Sequence, residues 1–118
     1  MHGPTYMGNA LACAAANASL DLFEREPRMR QVAAISAQLA RELAACRGRP
    51  GVKDVRVKGA VGVVELERID NIDALRARFV EAGVFIRPFG SVVYLTPPFV
   101  IEPDDLAKLT SAIVAAVG

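Results

Sequence analysis

The chain has 118 residues, 53% of them hydrophobic and 23% charged, with a formal net charge of +1. That length suits one domain with one core, and the scattered Lys and Arg residues form no basic tract of the kind that binds nucleic acid. No apolar run approaches the ~20 residues of a membrane span, and the start lacks the basic and apolar regions of a signal peptide, so a cytoplasmic protein without a membrane partner is expected.

The opening stretch HGPTYMGN has the composition of a loop. Gly3 and Gly8 let backbone approach a ligand closely, and free N–H groups there could hold an anion, although Pro4 removes one donor. The stretch is not a phosphate-binding loop of the Walker type, and His2 as a plain surface histidine with Thr5 as a turn hydroxyl is the competing reading. Asn9 can cap a helix that runs to about Glu26, where Pro27 ends it. From Ala10 to Ala16 this helix is apolar all round, the pattern of a helix buried on several sides. Asn17-Ala18-Ser19 matches a glycosylation triplet but falls within that helix and carries no weight. A mean hydropathy of +0.29 is high for a lone domain of this size, which suggests that apolar surface meets a partner chain or a further domain.

A second helix is predicted from about Met29 to Ala45, with Val32, Ile35, Leu39 and Leu43 on its apolar stripe. CRGRPG breaks it. VKDVRVKG and AVGVVELE then read as an antiparallel pair joined near Gly59. Asn71 caps a third helix with Ile72, Leu75, Phe79 and Ala82 on one stripe, and Gly83 suits its C′ position. VFIRPF and SVVYL follow as two short strands. After the extended TPPFVIEP, Pro103 opens a last helix with Asp104 and Asp105 in its first turn and Leu106, Leu109, Ile113 and Val117 inward. The order ααββαββα predicts an α+β fold, an antiparallel sheet of about four strands covered by helices. Cys13 and Cys46 have neither CxxC spacing nor nearby histidines, so they read as reduced thiols and no metal is expected.

Within VFIRPFGSVVYL, Gly90-Ser91 suits a two-residue type II′ turn that pairs Phe89 with Val92 and Arg87 with Tyr94. Alternation then puts Val84, Ile86, Val93 and Leu95 on the core face and Phe85, Arg87, Phe89 and Tyr94 on the other. Pro88 cannot donate to a ladder and marks an edge or a bulge. It also holds Arg87 extended, which suits the two-pronged grip of a guanidinium on a planar carboxylate. The alternative is a solvated arginine or an ordinary ion pair.

Three stretches in order, HGPTYMGNALACAAANASLDL, GAVGVVEL and GVFIRPFGSVVYLTPPFVI, cover nearly the whole chain. They resemble the C-terminal part of class III (fold type I) pyridoxal-phosphate aminotransferases. HGPTYMGN with IRPFG and VYLTPP is most similar to the branch that transfers the amino group of S-adenosylmethionine to 8-amino-7-oxononanoate, giving 7,8-diaminononanoate in biotin biosynthesis. The resemblance implies pyridoxal 5'-phosphate as cofactor and a homodimer with active sites at the subunit interface. It implies that Pro4 and Thr5 hold the phosphate of the partner subunit's cofactor, that Gly3 makes a backbone contact to substrate, that Arg87 binds the substrate carboxylate, and that Tyr94 is an active-site aromatic.

The lysine that bonds the cofactor, and the acid that faces its ring nitrogen, belong in this family to a large domain ahead of HGPT. Lys53, Lys58 and Lys108 lie in no matching segment, so no residue here is assigned a catalytic role. Residues 1–9 then close the large domain, and residues 10–118 form the small C-terminal domain with its leading helix. The chain is expected to be the C-terminal piece of a longer enzyme, without transaminase activity alone. The alternatives are another class III enzyme acting on an ω-amino acid or diamine, and a stand-alone non-enzymatic module that binds a small carboxylate or a partner chain.

Overall fold

The computed structural model describes residues 3–117, so His2 lies outside the described residues. Helix α1 spans Ala10–Arg25 and α2 spans Arg28–Leu43, extended by a 3₁₀ turn at Ala44–Cys46. Strands β1 (Val52–Lys58) and β2 (Val61–Leu66) come next, then α3 (Ile72–Glu81), β3 (Val92–Leu95) and α4 (Pro103–Val117). The sheet is antiparallel in the order β1-β2-β3.

The capping chemistry works as the residue types predict. The Asn9 side chain accepts from the Ala12 N–H and that of Asn71 from the Ala74 N–H, each at 3.0 Å. At the end of α3, Gly83 takes φ +78. Its N–H donates to the Val80 carbonyl and the Val84 N–H to that of Phe79, both at 2.9 Å. These are the two closing bonds of a Schellman motif.

One core lies between the sheet and helices α2, α3 and α4. Its inner sheet face presents Val55, Val64 and Val93 in register, then Gly62 beside Leu95. Leu39, Leu43, Phe79, Leu106 and Ile113 are all at 1% exposure or less, each contributing about 1.5–3 kcal/mol of apolar transfer. Cys46 is buried beside them, its thiol pushed up from the ordinary value by loss of solvent, while Cys13 sits exposed on α1, and both are free. No helix among the described residues is long and apolar enough to cross a membrane.

Three expectations need correction. Val84–Pro88 is extended but forms no strand, so the sheet has three strands and not four. Pro88 has no N–H to give, and a single pair, Phe89 with Val92, is all that forms on that edge of β3. Helix α1 is apolar yet has no buried residue, with Leu11 at 81% and Leu20 at 63% exposure. No other helix or strand packs broadly against it. Thr110, a polar residue outside the predicted stripe of α4, is 2% exposed, whereas Leu109 is only half-buried. The Thr110 hydroxyl lies 3.1 Å from the Ala107 carbonyl and 3.3 Å from a Glu42 carboxylate oxygen, which satisfies it within the core.

Gly62 is where α2 comes closest to the sheet. A Cβ there would stand 3.0 Å from Leu43 Cδ1 and 3.2 Å from Leu39 Cδ2. Both leucines have no exposed surface into which to retreat. Gly62→Ala is therefore expected to destabilise the fold by about 1–3 kcal/mol, read as a lower urea midpoint with an unchanged slope; an unchanged midpoint would show that α2 can shift freely.

Candidate functional site

The loop before α1 is two linked turns. The Met7 N–H donates to the Pro4 carbonyl at 3.1 Å and the Asn9 N–H to that of Tyr6 at 2.7 Å. Met7 at φ +45 and Gly8 at φ +69 give the second turn the positive backbone angles of type I′. Met7 is a costly residue there, since a side chain in this region strains by roughly 1–2 kcal/mol. Backbone strain of this kind gathers where structure serves function. The Met7 side chain folds back over Gly3, where any Cβ would collide with its sulfur. Met7 is itself exposed and flexible at its tip, so a side chain at position 3 would displace it.

Gly3, Pro4 and Thr5 are all exposed. The N–H groups of Thr5 and Tyr6 donate to no described backbone acceptor. The loop runs straight into the N-terminus of α1, whose first turn carries no acidic residue. Free amides, a threonine hydroxyl and the positive end of a helix dipole make a donor set that fits a phosphate group. The remainder of a pyridoxal-phosphate pocket is not supplied by this chain: Lys53 and Lys58 lie on β1 and Lys108 on α4, each with a different neighbourhood.

Gly90 adopts φ +58 while Ser91 does not have a positive φ, as a type II′ turn requires. The Phe89 N–H donates to the Val92 carbonyl at 3.0 Å and the Val92 N–H to that of Phe89 at 2.9 Å. The ladder stops there, so Arg87 and Tyr94 are not paired in register as the sequence suggests. The alternation of faces survives nonetheless. Ile86, Pro88, Val93 and Leu95 are buried, whereas Phe85, Arg87, Phe89 and Tyr94 are exposed, Tyr94 at 40%. Arg87 and Tyr94 therefore both stand on the outer side, one in the extended segment before the turn and one on β3.

Charged groups of the sheet are paired around Arg56, and Arg87 is not among them. Across the sheet, Arg56 Nη1 holds Glu65 at 2.7 Å and Asp54 at 2.9 Å, and Lys53 adds a contact to Glu65 at 3.8 Å. The Arg56 hydrogen bond is the main cause that holds each carboxyl below its ordinary value. Asp54 and Glu65 are thus committed to Arg56, and Arg87 has no ion pair among the described residues. Its guanidinium fork is available to an external carboxylate.

The loop at 3–8 and the Arg87–Tyr94 pair do not meet. No hydrogen bond or ion pair among the described residues joins them, and the loop leads directly into the N-terminus of α1.

A sequence profile of the class-III aminotransferases matches residues 1–117. The chain belongs to the class-III aminotransferase family. It is 49% identical over 113 residues to the adenosylmethionine-8-amino-7-oxononanoate aminotransferase of Buchnera aphidicola subsp. Acyrthosiphon pisum, an alignment covering 96% of this chain and 26% of that enzyme. Among solved structures, the adenosylmethionine-8-amino-7-oxononanoate aminotransferase of Methanocaldococcus jannaschii superposes with a TM-score of 0.82 at 29% identity, covering 98% of this chain and 28% of that one. An (S)-enantioselective ω-transaminase from Thermomicrobium roseum superposes with a TM-score of 0.87 at 31% identity, with the same coverages of 98% and 28%. The chain spans about a quarter of the length of the curated relatives it matches. The class-III chain thus has the α+β fold of its relatives, with three strands where the residue pattern suggested four.

The Arg56 network also predicts a pH dependence. The carboxyl values of Asp54 and Glu65 are depressed on folding, so their stabilisation is complete above the ordinary carboxylate values of about 4 and is lost as pH falls through the lowered ones. Arg56→Gln is expected to flatten the acid limb of the stability profile, measured by thermal melts across pH, by lowering the neutral-pH melting temperature slightly, the pairs being exposed, while leaving the most acidic points unchanged. A native-shaped acid limb in the variant would contradict this.

Proposed function

We propose that this chain is the C-terminal part of a pyridoxal-phosphate-dependent aminotransferase of biotin biosynthesis, which passes the amino group of S-adenosylmethionine to 8-amino-7-oxononanoate. Identity of 49% to an enzyme of that name is the observation that carries this reading, and the unpaired Arg87 supports it. On this reading residues 1–9 close the large cofactor domain and residues 10–118 form the small domain of a cytoplasmic homodimer.

Each group then has a physical task. Pro4 shapes the turn that presents the Thr5 hydroxyl and the free Thr5 and Tyr6 amides to the phosphate of the partner subunit's cofactor. Gly3, with no side chain of its own, lets the substrate lie against backbone. Arg87 grips the substrate carboxylate with two parallel hydrogen bonds, and Tyr94 offers an aromatic wall on the same outer side. A long apolar substrate anchored at one end is held at a fixed reach from the reacting carbon. Pyridoxal phosphate, when bound, takes up the amino group from one substrate and delivers it to the next. On this reading the loop and Arg87 serve different active sites of the homodimer, and two subunits complete either.

The likeness to an ω-transaminase supports a second reading, in which the acceptor is an ω-amino acid or diamine. Arg87 distinguishes the two. In the longer enzyme, Arg87→Ala is expected to raise KM for 8-amino-7-oxononanoate about 10–100-fold, the worth of a charge-assisted pair, while cofactor absorbance is retained. An unchanged KM would remove Arg87 from the carboxylate site and favour the second reading. The 118-residue chain alone is expected to show no amino transfer and to retain no pyridoxal phosphate after gel filtration; stoichiometric retention would overturn the assignment of the lysine to another segment.

A further inference from the structure

Helix α1 joins the rest of the chain through very little. It has no buried residue, and its corner into α2 turns on Glu26, which is extended at φ -100 and ψ 149, and on Pro27. The corner is held locally by an Arg28 N–H to Glu26 carbonyl bond of 2.8 Å and an Arg28 to Gln31 side-chain bond of 2.8 Å. Beside it lies a cavity of about 320 Å³, lined by Ser19, Leu22, Phe23, Arg28, Phe99 and Val100. The corner is therefore not packed solid, and it leaves α1 room to swing.

One contact spans that cavity. The rings of Phe23 and Phe99 meet edge to face, with centroids 6.2 Å apart and planes at 83°, the favourable arrangement for two aromatic quadrupoles. Phe99 comes five residues after Tyr94 through Thr96-Pro97-Pro98, a stretch stiffened by two prolines, of which Pro97 is buried. Phe23 connects to the 3–8 loop through thirteen residues of α1, about 20 Å of rigid helix.

We propose that Phe99, through its edge contact with Phe23, is a positioning residue that sets the angle of α1 and hence the place of the Pro4–Thr5 loop relative to Arg87 and Tyr94. A swing of about 5° at the corner moves the far end of a helix this long by roughly 2 Å. Misplacement of about 1 Å is enough to cost two orders of magnitude in rate where groups must meet in register. The functional weight of the contact rests on the aminotransferase reading; the geometry itself does not.

The test uses the 118-residue chain. Cys13 is exposed on α1 and Cys46 is buried, so a spin label attaches at Cys13 without touching the core thiol. A second label goes on Lys108→Cys, an exposed position of α4. Double electron–electron resonance is expected to give a single narrow distance distribution in this background. The narrow peak is expected to be lost in Phe99→Ala and in Phe23→Ala, and the double variant should be no broader than either single one, since both remove the same contact. A narrow peak retained in either single variant overturns the proposal. Circular dichroism checks folding; should Phe99→Ala unfold, Phe23→Ala decides alone, because its ring is half exposed on a helix with no buried residue. The measurement needs neither substrate nor cofactor, so its failure and a failed Arg87→Ala experiment are separate outcomes.

Discussion

The close approach of α2 to β2 over Gly62 is the constraint on which the rest of the chain depends. With no side chain at that point, Leu39 and Leu43 sink onto the sheet and reach zero exposure. The position falls on the inner row that Leu95 continues. Register then follows for every neighbour, because a period of two leaves no freedom once one residue is fixed inward. Val93 and Leu95 go in, and Tyr94 goes out. The same alternation continues around Gly90 and Ser91, so Ile86 goes in and Arg87 goes out even where the ladder has ended. A glycine under a helix thus fixes the register that turns Tyr94 outward, and the same alternation of burial reaches Arg87.

The sequence made the helices and their caps legible because these rest on local chemistry. Asn9, Asn71 and Gly83 each do what their residue type does at a helix end, with no help from distant parts of the chain. The turn at Gly90 was legible for the same reason. The fourth strand was not, since a strand exists only if a neighbour accepts its hydrogen bonds. Pro88 gave the warning, and the pairing ends one residue after it. Thr110 was missed because a hydrophobic stripe counts only apolar residues. Its burial depends on Glu42, sixty-eight positions away, arriving to share the hydroxyl.

The site shows the same division. Arg87 could be picked from its neighbours in sequence, but its freedom from ion pairs could not, because that depends on a cross-strand network. Register sets Asp54 directly opposite Glu65, and Arg56, two residues along β1, reaches both. The opening loop was legible only as a weak anion binder. The positive φ of Met7 is a feature of the folded backbone and leaves no mark in composition.

Helix α1 makes sense only when its two faults are taken together. It is apolar over much of its length, yet apart from the Phe99 contact at Phe23 it has no buried residue. A surface of this kind costs free energy in water, on the order of 25 cal/mol for each Å² of apolar area, and that cost is recovered only by contact with further protein. Relatives about four times as long supply the room for such a contact. The helix that carries the candidate phosphate-binding loop is therefore also the helix that most needs a neighbour. Docking of further protein against α1 would fix the loop and bury the apolar stripe in one step, so assembly of the site and stabilisation of this part of the fold become the same event.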